Sequence, residues 1–142
     1  MIVLDTNILS ELMKPTQEPS VIAWLDQQPA ISVWTTSVCV FEVRMGLALM
    51  ADGKRRRGLE DRFQALLEED LGGRIVPFDA IAAREAAEIM GRVQGLGQPV
   101  ELRDLFIAGS VSARRGILAT RNTKHFVHTG IMLINPWEIQ AV

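Results

Sequence analysis

The sequence predicts an α/β fold, a three-layer α/β/α sandwich around a mostly parallel central sheet, built as one domain over residues 1–142. Three observations lead there. Short apolar, β-rich runs alternate with longer stretches of helical periodicity along the whole chain, which is the pattern of parallel βαβ units. The first run, Ile2-Val3-Leu4, is apolar without interruption, as in a strand buried on both faces, and it stops abruptly at Asp5-Thr6-Asn7. No repeat, low-complexity segment or long linker divides the chain, and 142 residues with 48% apolar content suffice for one domain with a real core.

After the opening strand, Ile8 to Met13 reads as a short helix and Pro15 to Pro19 as a loop. Ser20 is the expected N-cap of a helix through Gln27, with Val21, Trp24 and Leu25 on one face and Pro29 as its stop. Ile31 to Thr35 alternates and is rich in β-formers, so it reads as a strand. Thr36 or Ser37 caps a long helix to about Ala51, closed by Asp52-Gly53. The next helix, about Arg56 to Asp70, carries the stripe Leu59, Phe63, Leu66 and Leu67 and ends at Gly72-Gly73. Arg74-Ile75-Val76 is a short strand. Asp79 then caps a helix to about Gln94, and a loop runs from Gly95 to Pro99. A helix from about Glu101 to Arg115 ends at Gly116, Ile117 to Thr120 is a strand, and Arg121 to Phe126 is a turn. Ile131 to Ile134 is the last strand, before Asn135-Pro136.

Mean hydropathy is slightly positive at +0.15, which points to apolar surface covered by a partner or a second copy. No apolar run reaches the roughly 20 residues of a membrane span, and the N-terminus lacks a basic region ahead of an apolar one. A cytoplasmic protein is expected. The single cysteine, Cys39, excludes an internal disulfide or a thiolate metal cluster and reads as a small core residue. A net charge of −2 gives no global attraction to nucleic acid. Any such affinity is local, at the basic run Lys54-Arg55-Arg56-Arg57 or at Arg103, Arg114, Arg115 and Arg121.

Three acids stand where a core-building sequence has no use for them. Functional groups of open parallel sheets gather beyond the carboxyl ends of the strands, and Asp5 occupies such a position. Capping the next helix needs one short polar residue, whereas Asp5, Thr6 and Asn7 supply three. On a wheel of about 100° per residue, Val38, Phe41, Met45 and Leu49 form a stripe widened by Cys39, Val43, Leu47 and Met50. Glu42 falls about 40° from Val38, near the centre of that arc. An ionised glutamate facing a core is costly unless it is paired with an arginine or bound to a metal. Asp104 shares a face with Ile107, Ala108 and Val111, although an acid in a first turn also complements the helix dipole.

Carboxylates brought together repel one another unless a cation neutralises them. Oxygen-only ligands suit Mg²⁺ or Mn²⁺, while His125 and His128 have neither zinc spacing nor a cysteine partner. The chemistry implied is metal-assisted hydrolysis of a phosphodiester. Thr6, Asn7, Thr120 and Asn122 are donors of the right type to hold the phosphate or order a water.

These segments resemble a PIN-domain ribonuclease, specifically a VapC-like toxin of a type II toxin–antitoxin pair. The resemblance spans nearly the whole chain. It rests on Ile2 to Asn7, on Thr36 to Gly46, on Arg103 to Ala108, on Leu118 to Asn122, and on Asn135-Pro136-Trp137. It implies a Mg²⁺- or Mn²⁺-dependent endoribonuclease acting on RNA, usually a homodimer. A cognate antitoxin is implied too, inserting a peptide over the active site and linking the complex to operator DNA. Carried over residue by residue, Asp5, Glu42 and Asp104 are the constant acids, as metal ligands and catalytic residues.

Asn122 takes a fourth acidic position, and an acid that many members carry three residues later falls at His125. An amide brings no charge, which favours one tight ion, and Asn122 as a plain turn residue stays open. The alternative reading is a catalytically weakened PIN module acting mainly as the dimeric partner of a DNA-binding antitoxin. Arg121, after a strand end, is the candidate phosphate clamp. Lys54 to Arg57 is either a solvated run or a contact for RNA backbone or acidic antitoxin. Trp24, Trp34 and Trp137 read as core or interface anchors.

Overall fold

The computed structural model describes residues 1–139. Five strands, β1 (Ile2–Leu4), β2 (Val33–Thr36), β3 (Ile75–Val76), β4 (Ile117–Ala119) and β5 (Met132–Ile134), form one sheet in the order β3-β2-β1-β4-β5. Every neighbouring pair is parallel, so the sheet is wholly rather than mostly parallel. Six helices flank it: α1 (Thr6–Leu12), α2 (Pro19–Asp26), α3 (Ser37–Ala48), α4 (Lys54–Ala65), α5 (Ala80–Gly95) and α6 (Leu102–Ala113). A π-helical turn, Leu66–Asp70, extends α4. Among the described residues no helix is long and apolar enough to cross a membrane.

The strand order explains where the polar residues collect. β1 is central and pairs with β2 on one side and β4 on the other, so the chain leaves β1 in opposite directions around the sheet. Open parallel sheets bind ligands at such a switch point, outside the carboxyl ends of the strands. Val3, Leu4 and Leu118 are fully buried, as expected for strands covered on both faces. The ladder continues one residue past each strand. The Asp5 N–H donates to the Ala119 carbonyl (3.0 Å) and the Thr120 N–H to the Ile134 carbonyl (2.9 Å). Asp5 and Thr120 therefore end adjacent strands side by side.

Helix packing brings the other segments to the same edge. At Gly109 a Cβ would lie 2.5 Å from the Ala82 carbonyl oxygen and 2.6 Å from the Ala86 Cβ. Only glycine lets α6 approach α5 this closely. Asp79 caps α5 by accepting from the Ala82 N–H (3.0 Å), and Thr36 caps α3 by accepting from the Cys39 N–H (3.0 Å).

Four local expectations are corrected. α2 begins at Pro19 with Glu18 at the cap, not at Ser20, because proline is pre-set for the first helical position. The strand expected from Ile31 starts only at Val33, after a 3-10 turn over Ala30–Ser32. α4 starts at Lys54, taking the basic run into its first turn. The buried face of α3 is Val38, Cys39, Val43 and Leu47, whereas Phe41 is 54% and Leu49 80% exposed. α3 is apolar nearly all round, so the wheel offers little contrast and packing against α1 and α6 decides which face turns in.

Candidate metal centre

Asp5 accepts more hydrogen bonds than any other carboxyl among the described residues. Its side chain is 5% exposed and takes four donors, two on each oxygen. Oδ1 accepts from the Thr6 N–H (2.8 Å) and the Cys39 thiol (3.7 Å). Oδ2 accepts from the Thr120 hydroxyl (2.7 Å) and the Asn7 amide (3.3 Å). The fully buried Thr120 Oγ1 is the hub, because it also accepts from Asn7 Nδ2 (3.2 Å) and from the Asn122 N–H (3.0 Å). Asn7 Oδ1 in turn accepts from the Arg121 N–H (3.0 Å). The two strand ends are thus laced together, and Asp5 is aimed by both.

Glu42 faces the same point from α3. Its Oε1 accepts from the Thr6 hydroxyl (2.8 Å), and its Oε2 lies 3.8 Å from Arg103 Nε. Arg103 is committed more closely to Glu101 (3.0 Å), so Glu42 is steadied rather than locked. Asp5, Cys39 and Glu42 each place one potential ligand atom within 4.8 Å of the others. Asp104, in the first turn of α6, stands outside that tight group, with His125 Nδ1 3.8 Å from its Oδ2.

The electrostatics tie all three acids to one centre. Burial, offset only in part by the four donors, pushes the Asp5 carboxyl above the usual range. Burial and the nearby Asp5 charge push Glu42 up as well, against the Thr6 bond. Asp104 is raised to about 6 by burial and then by repulsion from Asp5, Glu101 and Glu42, with His125 opposing. Neighbouring carboxyl groups that resist ionisation are of the kind a hard divalent cation could neutralise, and Asp5 and Glu42 are close enough for one ion to reach both. The Cys39 thiol, pushed up to about 12 by burial and the Asp5 charge, stays protonated and acts as a donor to Asp5.

The expected site residues divide into three groups. Asp5 and Glu42 come together, with Asp104 at their margin. Thr6, Asn7 and Thr120 direct their side-chain bonds to the carboxylates and to one another. Arg121 and Asn122 are exposed at the rim. The Arg121 guanidinium stacks 5.0 Å over the Trp137 ring, and Asn122 precedes the 3-10 turn Thr123–His125.

Sequence reasoning missed Cys39 as a neighbour of the acids, and it put His125 at a family acidic position without foreseeing its contact with Asp104. The Cys39 link was readable in its spacing, three residues before Glu42 and so on the same helix face. The His125 contact depends on how the β4–β5 connection folds over α6, which no local pattern encodes.

A family profile described as the PIN domain matches residues 2–131. The chain is 39% identical over 138 residues to VapC ribonuclease Y4jK of Sinorhizobium fredii, covering 97% of this chain and 99% of that protein. It is 34% identical over 137 residues to Toxin FitB of Neisseria gonorrhoeae, covering 96% and 99%. In three dimensions it is similar to a chain of FitAB bound to an IR36 DNA fragment, with a TM-score of 0.89, 33% identity and 99% of each chain covered. On sequence and on fold, the chain belongs to the PIN-domain family.

Proposed function

We propose that the protein is a metal-dependent endoribonuclease that hydrolyses RNA phosphodiester bonds, the toxin component of a type II toxin–antitoxin pair. The observation that carries this reading is that Asp5 and Glu42 face one point with Asp104 at its margin: burial holds all three carboxyl groups above the usual range, and the Asp5 charge adds to the rise at Glu42 and Asp104. Asp5, Glu42 and Asp104 would hold Mg²⁺ or Mn²⁺, which supplies Lewis acidity and a water of lowered pKa. The kinship to proteins named VapC ribonuclease and Toxin FitB supports the same substrate and the same role.

The remaining residues have distinct tasks. Thr120 and Asn7 fix the Asp5 carboxylate, and Thr6 bridges it to Glu42, so the ligands are oriented before any ion arrives. Arg121, rigidified by Trp137, holds a phosphate oxygen of the substrate. Asn122 stands close enough to the hub, through its N–H to Thr120, to order the attacking water, and brings no charge for a second cation. The assembly is a homodimer bound by a cognate antitoxin, which links it to operator DNA. The exposed Phe41 and Leu49 on α3 offer apolar surface for such association.

Incubation of the purified protein with structured RNA and Mn²⁺ or Mg²⁺ tests the reading, with EDTA and Asp5→Asn as controls. Metal-dependent cleavage lost in the variant is expected. No cleavage across many RNAs overturns it and leaves the weakened module, a partner for a DNA-binding antitoxin, in its place.

A further inference from the structure

Arg114 and Arg115 close α6 in different ways. Arg114 is ion-paired with Asp79 (3.7 Å), which together with the helix dipole accounts for it. The Arg115 side chain has no hydrogen-bond or ion-pair partner among the described residues. Its backbone is left-handed (φ 52°), and it is the one non-glycine residue described with a positive φ. Glycine is the usual residue past a helix end in that conformation, because a Cβ is strained there. The backbone at 115 favours glycine, so the arginine is explained by its side chain.

Arg115 lines a cavity of about 250 Å³ at the amino ends of β4 and β5, the end of the sheet opposite the acids. Arg92 of α5 lines the same cavity and donates to the Thr129 carbonyl (3.2 Å). Neither guanidinium meets a carboxylate at ion-pair distance among the described residues, and no acid lines the cavity, in a chain whose net charge is −2. The one acid bonded to a lining side chain is Glu85, which accepts from the Ser112 hydroxyl (3.3 Å). On the loop wall, the Gly130 and Ile131 N–H groups find no protein acceptor among the described residues. Gly130 is left-handed (φ 82°), and successive free N–H groups at such a turn make concavities that attract anions. The carbonyl end of α6 brings about half a negative charge, which two full positive charges exceed.

We propose that this cavity binds a phosphate group, its oxygens shared between the Arg92 and Arg115 guanidinium groups and the backbone at Gly130 and Ile131. A phosphate monoester offers three acceptor oxygens and close to two negative charges, which suits two guanidinium forks and peptide donors better than one carboxylate does. The cavity is smaller than the roughly 300 Å³ at which pockets for whole drug-sized ligands begin, so it takes the phosphate and little of what carries it. Inorganic phosphate and the terminal phosphate of a small organic molecule share this chemistry. The site needs no part of the nuclease reading, since the acids stand at the other ends of the strands.

Two-dimensional NMR of the isotope-labelled, metal-free protein tests this during titration with inorganic phosphate and, separately, with AMP, at an ionic strength held constant with chloride. Saturable shifts are expected at the Gly130 and Ile131 amides and at the Arg92 and Arg115 Nε–H groups. Two charge-assisted contacts place half-saturation at roughly millimolar ligand. Arg115→Gly removes one charge while relieving the backbone, so it is expected to unfold at a higher temperature than wild type and to bind about tenfold more weakly. Arg92→Gln also weakens binding, whereas Arg84→Gln, at an exposed position of α5, leaves it unchanged.

Inorganic phosphate bound as tightly as AMP assigns the site to the phosphate ion, and tighter AMP assigns it to an organic phosphomonoester. Shifts that fail to saturate, or that spread evenly over the basic residues, overturn the proposal. So does full affinity in the folded Arg115→Gly protein.

Discussion

Asp5 and Asp104, two acids of the proposed metal centre, are held in opposite ways. Asp5 ends the central strand, is almost wholly buried, and meets four donors from Thr6, Asn7, Cys39 and Thr120. Asp104 rises from the first turn of α6, is half-buried, and has only an exposed imidazole 3.8 Å away to set against the repulsion of three acids. The strand-borne half is prepared by hydrogen bonds and the helix-borne half is left electrostatically unfinished. The difference teaches where a cation has most effect: it orients little at Asp5 and neutralises much at Asp104.

The comparison breaks first at Asp5. Asp5→Asn keeps the shape and the neighbours but removes the charge, and is expected to lower RNA cleavage by well over the roughly 100-fold that loss of an outer partner costs. Steady-state cleavage with Mn²⁺ measures it, and near-wild-type activity would remove Asp5 from the chemistry.

Thr120→Val comes next. It strips the hub hydroxyl and leaves Asp5 Oδ2, Asn7 Nδ2 and the Asn122 N–H short of a partner. The expected destabilisation is about 2 kcal/mol, with a 10- to 100-fold loss of metal affinity. Chemical denaturation and metal titration read the two effects separately.

At Asp104 the sign reverses. A folded-state pKa raised to about 6 from the ordinary 3.8 means that the native protein binds more protons than the unfolded chain between those values. Stability without metal therefore falls as pH rises from about 4 through 6, and Asp104→Asn gains it back at neutral pH. Discounted for partial exposure, the gain is about 2 kcal/mol, or roughly 5 °C in Tm. The same substitution abolishes cleavage, so a variant more stable and inactive is the expected signature. A destabilised variant would make Asp104 a structural partner of His125. The smallest effect is at Asn122: Asn122→Asp adds a charge at the rim and is expected to tighten metal binding several-fold, which calorimetry detects.

Much of this was legible in the chain. The end of β1 declared itself because an unbroken apolar run met Asp5-Thr6-Asn7, and the end of β4 did so through Ala119-Thr120. Those segments are buried on both faces, so their pattern reflects the fold directly. Glu42 was found although its helix was placed with the wrong face inward. Phe41 and Leu49 weighed on the wheel like core residues, yet they remain on the surface, because hydrophobicity alone cannot say which apolar face the neighbouring helices cover. The lacing of Asn7, Thr120 and Arg121 was invisible for a different reason. Those residues are 113 and 114 positions apart and meet only through strand order. Asn7 and Thr120 looked like donors waiting for substrate, and their side chains bond to Asp5 and to each other, while the Arg121 N–H goes to Asn7.

Calorimetric titration of the metal-free protein with Mn²⁺ at pH 7, set beside Asp5→Asn, Glu42→Gln and Asp104→Asn, tests the convergence most directly. One tight site in wild type is expected, severely weakened in all three variants and weakened in wild type as pH falls below 6. Absence of binding, or binding that survives these substitutions, would contradict a shared cation among the three acids.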